Sequence, residues 1–169
     1  VRHEGKGDRT HVAAPDALFA RDFLVGNPGI QGSNLFARLG TLLAAGLFDE
    51  ALPSTTDRDL CIRIADLGYV RYGRLARSLV HHFADTDRPR LSARGSQAKL
   101  DGLDGFHRKY HRRMTAEERA AFAARGEHLF GWQPPTRPLT ERRRLIPVHA
   151  VDREIVAVAV AIVAVHVVV

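Results

Sequence analysis

The chain has 169 residues and carries a formal net charge of +6, with a sequence pI of about 10.2. This length supports one medium-sized domain and excludes most two-domain arrangements. Because Cys61 is the only cysteine, an intrachain disulfide and a cysteine-based metal cluster are also excluded. The positive charge favours anionic ligands such as phosphorylated molecules, nucleic acid or anionic lipid. The single cysteine, together with an N-terminus that lacks the apolar core of a signal peptide, predicts a cytoplasmic protein.

The first sixteen residues are polar and show no periodic apolar pattern, so we expect a loop or a disordered N-terminus there. A first helix is predicted after the turn-rich segment around Pro28, because apolar residues recur at helical spacing as far as Gly46. Either Ser33 or Asn34 would cap this helix through its side chain.

A second helix is predicted to begin at residues 54–56, whose hydroxyls can cap it, and to end at Gly68. Residues 69–72 and 79–83 have the composition of strands. Helices and strands are therefore mixed from residue 17 to about residue 90, which favours an α/β fold.

Two more helices are predicted in residues 91–132. The first runs from about Ser96 to Tyr110, and the second begins with a capping box at residues 115–118 and ends just before Trp132. Trp132 is expected to mark the end of the packed domain. The basic residues of these helices are expected to lie on solvated faces, with a surface for an acidic partner as the alternative. They are Lys99, Arg108, Lys109, Arg112 and Arg113.

Residues 133–169 form a Pro- and Arg-rich linker followed by an apolar tail of low complexity. The tail, residues 155–169, is shorter than the roughly 20 residues that a membrane-spanning helix needs. We expect it to be an abnormal gene end. Two alternatives are a strand or helix that completes the core and a membrane anchor.

Three short motifs follow one another in residues 27–82. They are Gly32-Ser-Asn34, Phe48-Asp-Glu50 followed by Thr56-Asp-Arg-Asp-Leu60, and His81-His82 at the end of a predicted strand. This run resembles that of family-2 glycosyltransferases, in which a Gly-x-Asn loop precedes a helix, Gly-Phe-Asp-Glu and Glu-Asp-x-Asp-Leu motifs follow, and a strand ends in histidine. The resemblance implies a partial GT-A fold for residues 17–90, with residues 91–132 as a C-terminal helical extension.

The resemblance also implies a reaction: transfer of a sugar from a nucleotide-diphospho-sugar donor to a hydroxyl acceptor, with inversion. The acceptor hydroxyl must lose its proton as it attacks, and Asp57, in the position of the acidic motif, is the candidate catalytic base. The positive end of the helix dipole is expected to keep this carboxylate ionised, with a low pKa. In the alternative interpretation, Asp57 and Asp59 only cap and neutralise the helix end.

Three further residues take roles from the same resemblance. Asn34 and Asp59 would lie on the acceptor-binding side, with a helix cap for Asn34 and a structural role for Asp59 as the alternatives. His81 would contact the Mg or Mn ion that accompanies the donor diphosphate. Alternatively, His81 only forms a hydrogen bond with backbone at the end of its strand.

The chain departs from the family pattern in several places. Thr56 stands where the family has a glutamate, and one extra residue separates Gly46 from Phe48. No Asp-x-Asp precedes Asn27, although a GT-A enzyme holds its divalent cation with such a cluster. We therefore expect the acceptor-side, C-terminal portion of an enzyme, without its donor-binding half and inactive alone.

A different class of function is a non-catalytic basic module, which would bind nucleic acid or an anionic surface through the Arg-rich helices and residues 142–144. Acidic residues are interleaved with the basic ones, and the sequence contains no recognised nucleic-acid motif. We therefore expect no specific nucleic-acid partner and only weak membrane association.

Overall fold

The structure is a computed structural model, and in its described part helices and strands are mixed, as the sequence predicts. The structure describes residues 17–73 and 90–135, together with the backbone of the segments Arg2–Glu4, Gly7–Arg9, His82–Phe83 and Val160–Val163. His81 and most of the apolar tail lie outside the described residues.

The described residues include six short strands, arranged in two small sheets. In chain order they are β1 (Arg2–Glu4), β2 (Gly7–Arg9), β3 (Ala17–Leu18), β4 (Val70–Gly73), β5 (His82–Phe83) and β6 (Val160–Val163). In one sheet, β1 pairs antiparallel with β2 and parallel with β5. In the other, β4 lies between β3, which is antiparallel to it, and β6, which is parallel.

Three of these strands bear on predictions made for the chain ends. β1 and β2 lie in the first sixteen residues, where the composition predicts a loop or disorder. Their pairing is made by backbone groups, which side-chain periodicity does not report. In the apolar tail, β6 pairs with β4 along four residues, which agrees with a strand in the alternative of a strand or helix that completes the core.

Four α-helices are described. They are α1 (Leu39–Ala44), α2 (Thr56–Leu67), α3 (Gln97–Tyr110) and α4 (Ala116–Phe130). The predicted bounds of the last three are confirmed to within about two residues. Among the described residues, no helix has both the length and the apolar character needed to cross a membrane.

The first helix begins later than predicted. A 3₁₀ turn spans Gly32–Asn34, and α1 begins only at Leu39. The reason is the Asn34 side chain, which closes its own loop instead of capping a helix. Its Oδ1 accepts a hydrogen bond from the Gln31 amide at 2.6 Å, and its Nδ2 donates to the Gly29 carbonyl at 2.8 Å.

The caps of α2 and α4 differ in kind. In α4 the predicted capping box is confirmed: the Glu118 amide donates to Thr115 Oγ1 at 3.2 Å, and the Thr115 amide donates to the Glu118 carboxylate at 2.8 Å. In α2 the predicted hydroxyl cap is wrong. Thr55 precedes this helix in the left-handed region, with φ of 64°, and its hydroxyl donates to the Gly102 carbonyl of α3 at 3.2 Å.

One contiguous apolar core joins both halves of the described chain. The 3₁₀ turn at Ala20–Phe23 packs against α2, and the ring of Phe122 in the same core stacks on Phe106 and meets Trp132 edge to face. Trp132 is buried and its indole donates to Asp104 at 2.7 Å, as expected for a residue at the end of the packed domain. The predicted helical extension therefore shares a core with residues 17–73, and this packing positions a cavity beside the N-terminus of α2.

Candidate active site

A cavity of about 630 Å³ lies beside the N-terminus of α2. Its walls come from the loop that precedes the 3₁₀ turn of Gly32–Asn34, the first turn of α2, residues 90–92, and the facing sides of α3 and α4. Asp57 is the only acidic residue among the described residues that line it. The cavity therefore places the predicted base beside a space large enough for a small-molecule ligand.

The environment of Asp57 is set by the start of α2. One oxygen of its carboxylate accepts a hydrogen bond from the Arg58 amide at 2.8 Å. Burial raises the pKa of Asp57, and it outweighs the opposing effects of this hydrogen bond and of the positive charges on Lys99 and Arg58. The low pKa predicted from the helix dipole is therefore wrong in direction, because the loss of solvation is the larger effect.

Asp59 lies on a different side of α2 from Asp57. Side chains two positions apart in an α-helix differ in direction by about 200° around the helix axis. Because the Asp57 carboxylate lines the cavity, the Asp59 carboxylate points away from it. Asp59 is fully buried and does not line the cavity. Its carboxylate forms ion pairs with Arg63 at 2.7 Å and Lys109 at 2.6 Å, and it accepts a hydrogen bond from the Tyr110 hydroxyl at 2.7 Å. These contacts agree with the structural alternative for Asp59.

Asn34 is also buried, and both ends of its amide are used inside its own loop. The cavity wall instead includes Asn27, Gln31 and Gly32 from this loop. Asn27 holds the loop in shape, because its carbonyl oxygen accepts from the Gly29 and Ile30 amides at 3.0 and 2.7 Å. This loop therefore lines the cavity, but the Asn34 side chain does not.

Part of the cavity wall is formed by basic side chains, and one of them is Arg58. Arg58 is buried, 6% exposed, and its Nε and Nη2 donate to the carbonyls of Phe23 and Leu24. Its guanidinium lies 4.0 Å from the centre of the Phe106 ring. Burial lowers the pKa of Arg58 to about 9, with a further contribution from the charge of Arg125.

Lys99 from α3 and Arg125 from α4 face the same space. The Lys99 ammonium lies 4.5 Å from the centre of the Phe130 ring, and burial lowers its pKa while the charge of Asp57 opposes that shift. The expectation of a solvated Lys99 is therefore wrong. A signal for this was available in the sequence, because Lys99 precedes the buried Leu103 and Phe106 by four and seven residues and so shares their helix face.

Two other basic residues of the helices are exposed, as predicted, and also form ion pairs. Lys109 contacts Asp49 at 2.7 Å as well as Asp59, and Arg113 forms two hydrogen bonds of 2.7 Å with Asp66. Arg108 and Arg112 are exposed, as predicted.

The described residues do not test the predicted metal ligand. His81 lies outside them, and within the ranges 17–73 and 90–135 no group of three or more His, Cys, Asp or Glu side chains could hold a metal ion. The described residues therefore contain no donor set for Mg or Mn.

Comparison with protein-family models, with curated proteins and with solved structures finds no match to this chain. The basis for a functional interpretation is therefore the motif run in residues 27–82 and the chemistry of the cavity around Asp57.

Proposed function

We propose that this chain forms the acceptor side of an inverting family-2 glycosyltransferase with a GT-A fold, and that Asp57 is its catalytic base. The observation that carries the proposal is the position of Asp57. Within the described part of the chain it is the single carboxylate on the wall of a cavity of about 630 Å³, while its neighbour Asp59 is used inside the fold.

In the proposed reaction, an oxygen of the acceptor hydroxyl attacks the anomeric carbon of the donor sugar. The bond between that carbon and the diphosphate oxygen breaks, the diphosphate leaves with the electron pair, and the hydroxyl proton passes to the Asp57 carboxylate. A base is more effective as its pKa approaches the working pH. The burial that raises the pKa of Asp57 therefore supports its role as a base.

The rest of the cavity wall offers groups suited to a polar acceptor. Asn27, Gln31 and Ser54 are among the lining residues, and their side chains can form hydrogen bonds with hydroxyl groups. Phe48 and Leu91 add apolar surface, which is common where sugar rings or aliphatic groups bind. This mixture supports an organic acceptor that bears hydroxyl groups.

The alternative of a nucleic-acid or anionic-surface module is less well supported. Such a module needs basic side chains free to reach phosphates along an extended surface. Instead, Arg113 is held by Asp66, Lys109 by Asp49 and Asp59, and Lys99 faces the cavity. These contacts favour a small ligand in a confined site.

The proposal is tested on the polypeptide encoded by the gene, including any sequence that the same reading frame encodes upstream of Val1. Release of nucleotide diphosphate and formation of a glycosylated product are measured over a panel of nucleotide-sugars and hydroxyl acceptors. We expect Asp57→Asn to lower kcat by about 100-fold or more, because it removes the base without changing side-chain size.

The matched control is Asp66→Asn, since Asp66 is also on α2 but lies outside the cavity in an exposed ion pair. Its rate should remain within about twofold of the wild-type rate. Equal rates of sugar transfer for the wild type and Asp57→Asn would remove Asp57 from the mechanism.

A further inference from the structure

The cavity contains more positive charge than its surroundings balance. Arg58, Arg90, Lys99 and Arg125 line it, and among the described lining residues only Asp57 carries a negative charge. In the described part of the chain, neither the Lys99 ammonium nor the Arg125 guanidinium forms an ion pair. By contrast, four basic side chains elsewhere in the fold each bind a carboxylate at 2.6–2.8 Å. They are Arg21, Arg63, Lys109 and Arg113.

We infer that this cavity binds a phosphate group carried by the acceptor, and that Lys99 and Arg125 are the side chains that hold it. The inference rests on the proposed function only where it calls the ligand an acceptor. The binding of phosphate itself follows from the charges and positions of the lining residues.

Arg58 is held in place by the fold, whereas Lys99 and Arg125 are available to bind a ligand. Arg58 already donates to the carbonyls of Phe23 and Leu24 and stacks on Phe106, so it is fixed as part of the wall. Lys99 and Arg125 come from two different helices, and α3 and α4 pack against each other. Their charged groups can therefore reach one oxyanion from two sides.

The electrostatics favour a ligand with more than one negative charge. Burial lowers the pKa of Lys99; the charge of Asp57 opposes this shift, and repulsion by the charges of Arg58 and Arg125 adds to it. A phosphate monoester carries about −1.5 to −2 charges at pH 7 and offers three acceptor oxygens, which matches one ammonium and one guanidinium. A carboxylate carries one charge and balances the excess less well.

The site is tested on the full chain by calorimetric titration with glucose 6-phosphate, glucuronate and glucose at constant ionic strength. These probes share a sugar ring and differ in the charged group. We expect glucose 6-phosphate to bind most tightly and glucose to bind least. Tighter binding of glucuronate would overturn the assignment of phosphate, and equal binding of all three would overturn an anion site.

Variants of the lining residues identify the site. Lys99→Gln and Arg125→Gln should each raise the dissociation constant for glucose 6-phosphate by about 10- to 100-fold, as expected for a hydrogen bond between charged groups. Asp57→Asn should lower it, because the nearest negative charge is removed. The control is Arg108→Gln, which removes the same charge from an exposed position of α3 outside the cavity and should change it by less than about twofold.

A loss of binding in Arg108→Gln equal to that in Lys99→Gln would show that net charge alone attracts the phosphate, which would overturn the site. Thermal unfolding of each variant reports whether the fold is intact, and Lys99→Arg keeps the charge should Lys99→Gln fail to fold. The inference and the proposed function fail separately. Phosphate binding needs no donor, whereas loss of sugar transfer in Asp57→Asn does not depend on phosphate affinity.

Discussion

The hydroxyl of Tyr110 donates a hydrogen bond of 2.7 Å to the carboxylate of Asp59, and this contact joins the end of α3 to the first turns of α2. The same carboxylate forms ion pairs with Arg63 and Lys109. Because Asp59 is fully buried, its charge is compensated by these three groups and by little solvent. The cluster fixes α2 against α3, and the cavity lies on another side of α2.

Removing the carboxylate of Asp59 should therefore destabilise the fold. We expect Asp59→Ala to lower the free energy of unfolding by about 2–4 kcal/mol, below the full range for a buried pair because Arg63 and Lys109 are partly exposed. Tyr110→Phe, which removes one hydrogen bond, should cost about 1–2 kcal/mol. Denaturant titration measures both changes.

The control for this pair of variants is Asp66→Ala. Asp66 and Arg113 form an ion pair whose side chains are 42% and 40% exposed, so its loss should cost less than about 1 kcal/mol. If Asp59→Ala and Asp66→Ala had equal effects, the buried cluster would not be a stabilising element of the fold.

Gly102 on α3 lies against the segment that precedes α2. A Cβ atom at this position would lie 2.0 Å from Ser54 Oγ and 2.9 Å from the Ser54 backbone nitrogen. Because backbone as well as side chain must move, Gly102→Ala should lower the free energy of unfolding by about 1–3 kcal/mol. It should also perturb the cavity, since Ser54 is one of the lining residues.

Gly40→Ala is the matched change in open space. Gly40 lies in α1, and a Cβ atom there meets nothing within 4 Å. Replacing glycine by alanine in a helix should raise the free energy of unfolding by about 0.5–1 kcal/mol. The two variants, measured by thermal unfolding, should thus shift stability in opposite directions. The same direction for both would contradict the close packing of α3 on Ser54.

Asp57 should make the stability of the protein depend on acidity. Its pKa is raised in the folded state above the ordinary 3.8, chiefly by burial, so the folded protein binds this proton more tightly than the unfolded chain. Ionisation of Asp57 therefore destabilises the folded state. This effect is absent below pH 3.8, where the carboxyl group is protonated in both states, and it is complete above the raised pKa. Asp57→Asn should therefore be more stable than the wild type at pH 7, and this difference should vanish as the pH falls to 3.8.

Unfolding free energies of both proteins at a series of pH values give the check. A variant that is less stable at pH 7 would show that the carboxylate stabilises the fold, which would favour the helix-capping interpretation of Asp57.

His107 should produce the opposite kind of dependence. Its ring stacks on Phe122, with centroids 5.9 Å apart, and its buried Nδ1 has no hydrogen-bond partner in the described structure. Burial, followed by the neighbouring His111, lowers the pKa of His107 below 6.5. The folded state thus favours the neutral ring, so this contribution to stability is complete above pH 6.5 and is lost as the pH falls through the lowered pKa.

His107→Phe keeps an aromatic ring and removes the titration. Its stability should therefore rise relative to that of the wild type as the pH is lowered from 7.5 to 5. His128→Gln, at an exposed position of α4, serves as the comparison and should leave the pH dependence of the wild type unchanged. Parallel pH profiles for the wild type and His107→Phe would exclude His107 as the group responsible.

Local chemistry explains which elements were predicted correctly. The bounds of α4 follow from Thr115 and Glu118 at one end and from Gly131 at the other, where φ is 74°. Such signals act within four or five residues, so they can be read from the sequence. The same signals predict the start of α1 too early. The Asn34 side chain could cap a helix, but it forms its hydrogen bonds with the Gln31 amide and the Gly29 carbonyl of its own loop.

Some residues of the candidate site could be predicted from the local sequence, and others could not. Asp57 could be named from its place in the motif run, and Asp59 could be recognised as a possible structural neighbour, because both belong to one short stretch of helix. Lys99 and Arg125 lie in segments far along the chain, and only the packing of α3 and α4 brings them to the same cavity as Asp57.

The sequence by itself determined the mixed α/β class, three of the four described helices and the identity of the candidate base. Tertiary structure alone decided that Asp57 is poorly solvated, that Asn34 does not line the cavity, and that two cations without ion pairs in the described part line the same cavity as Asp57. The physical reason is that helix propensity and capping are local interactions, whereas solvation and net charge in a cavity depend on segments that meet only when the core is packed.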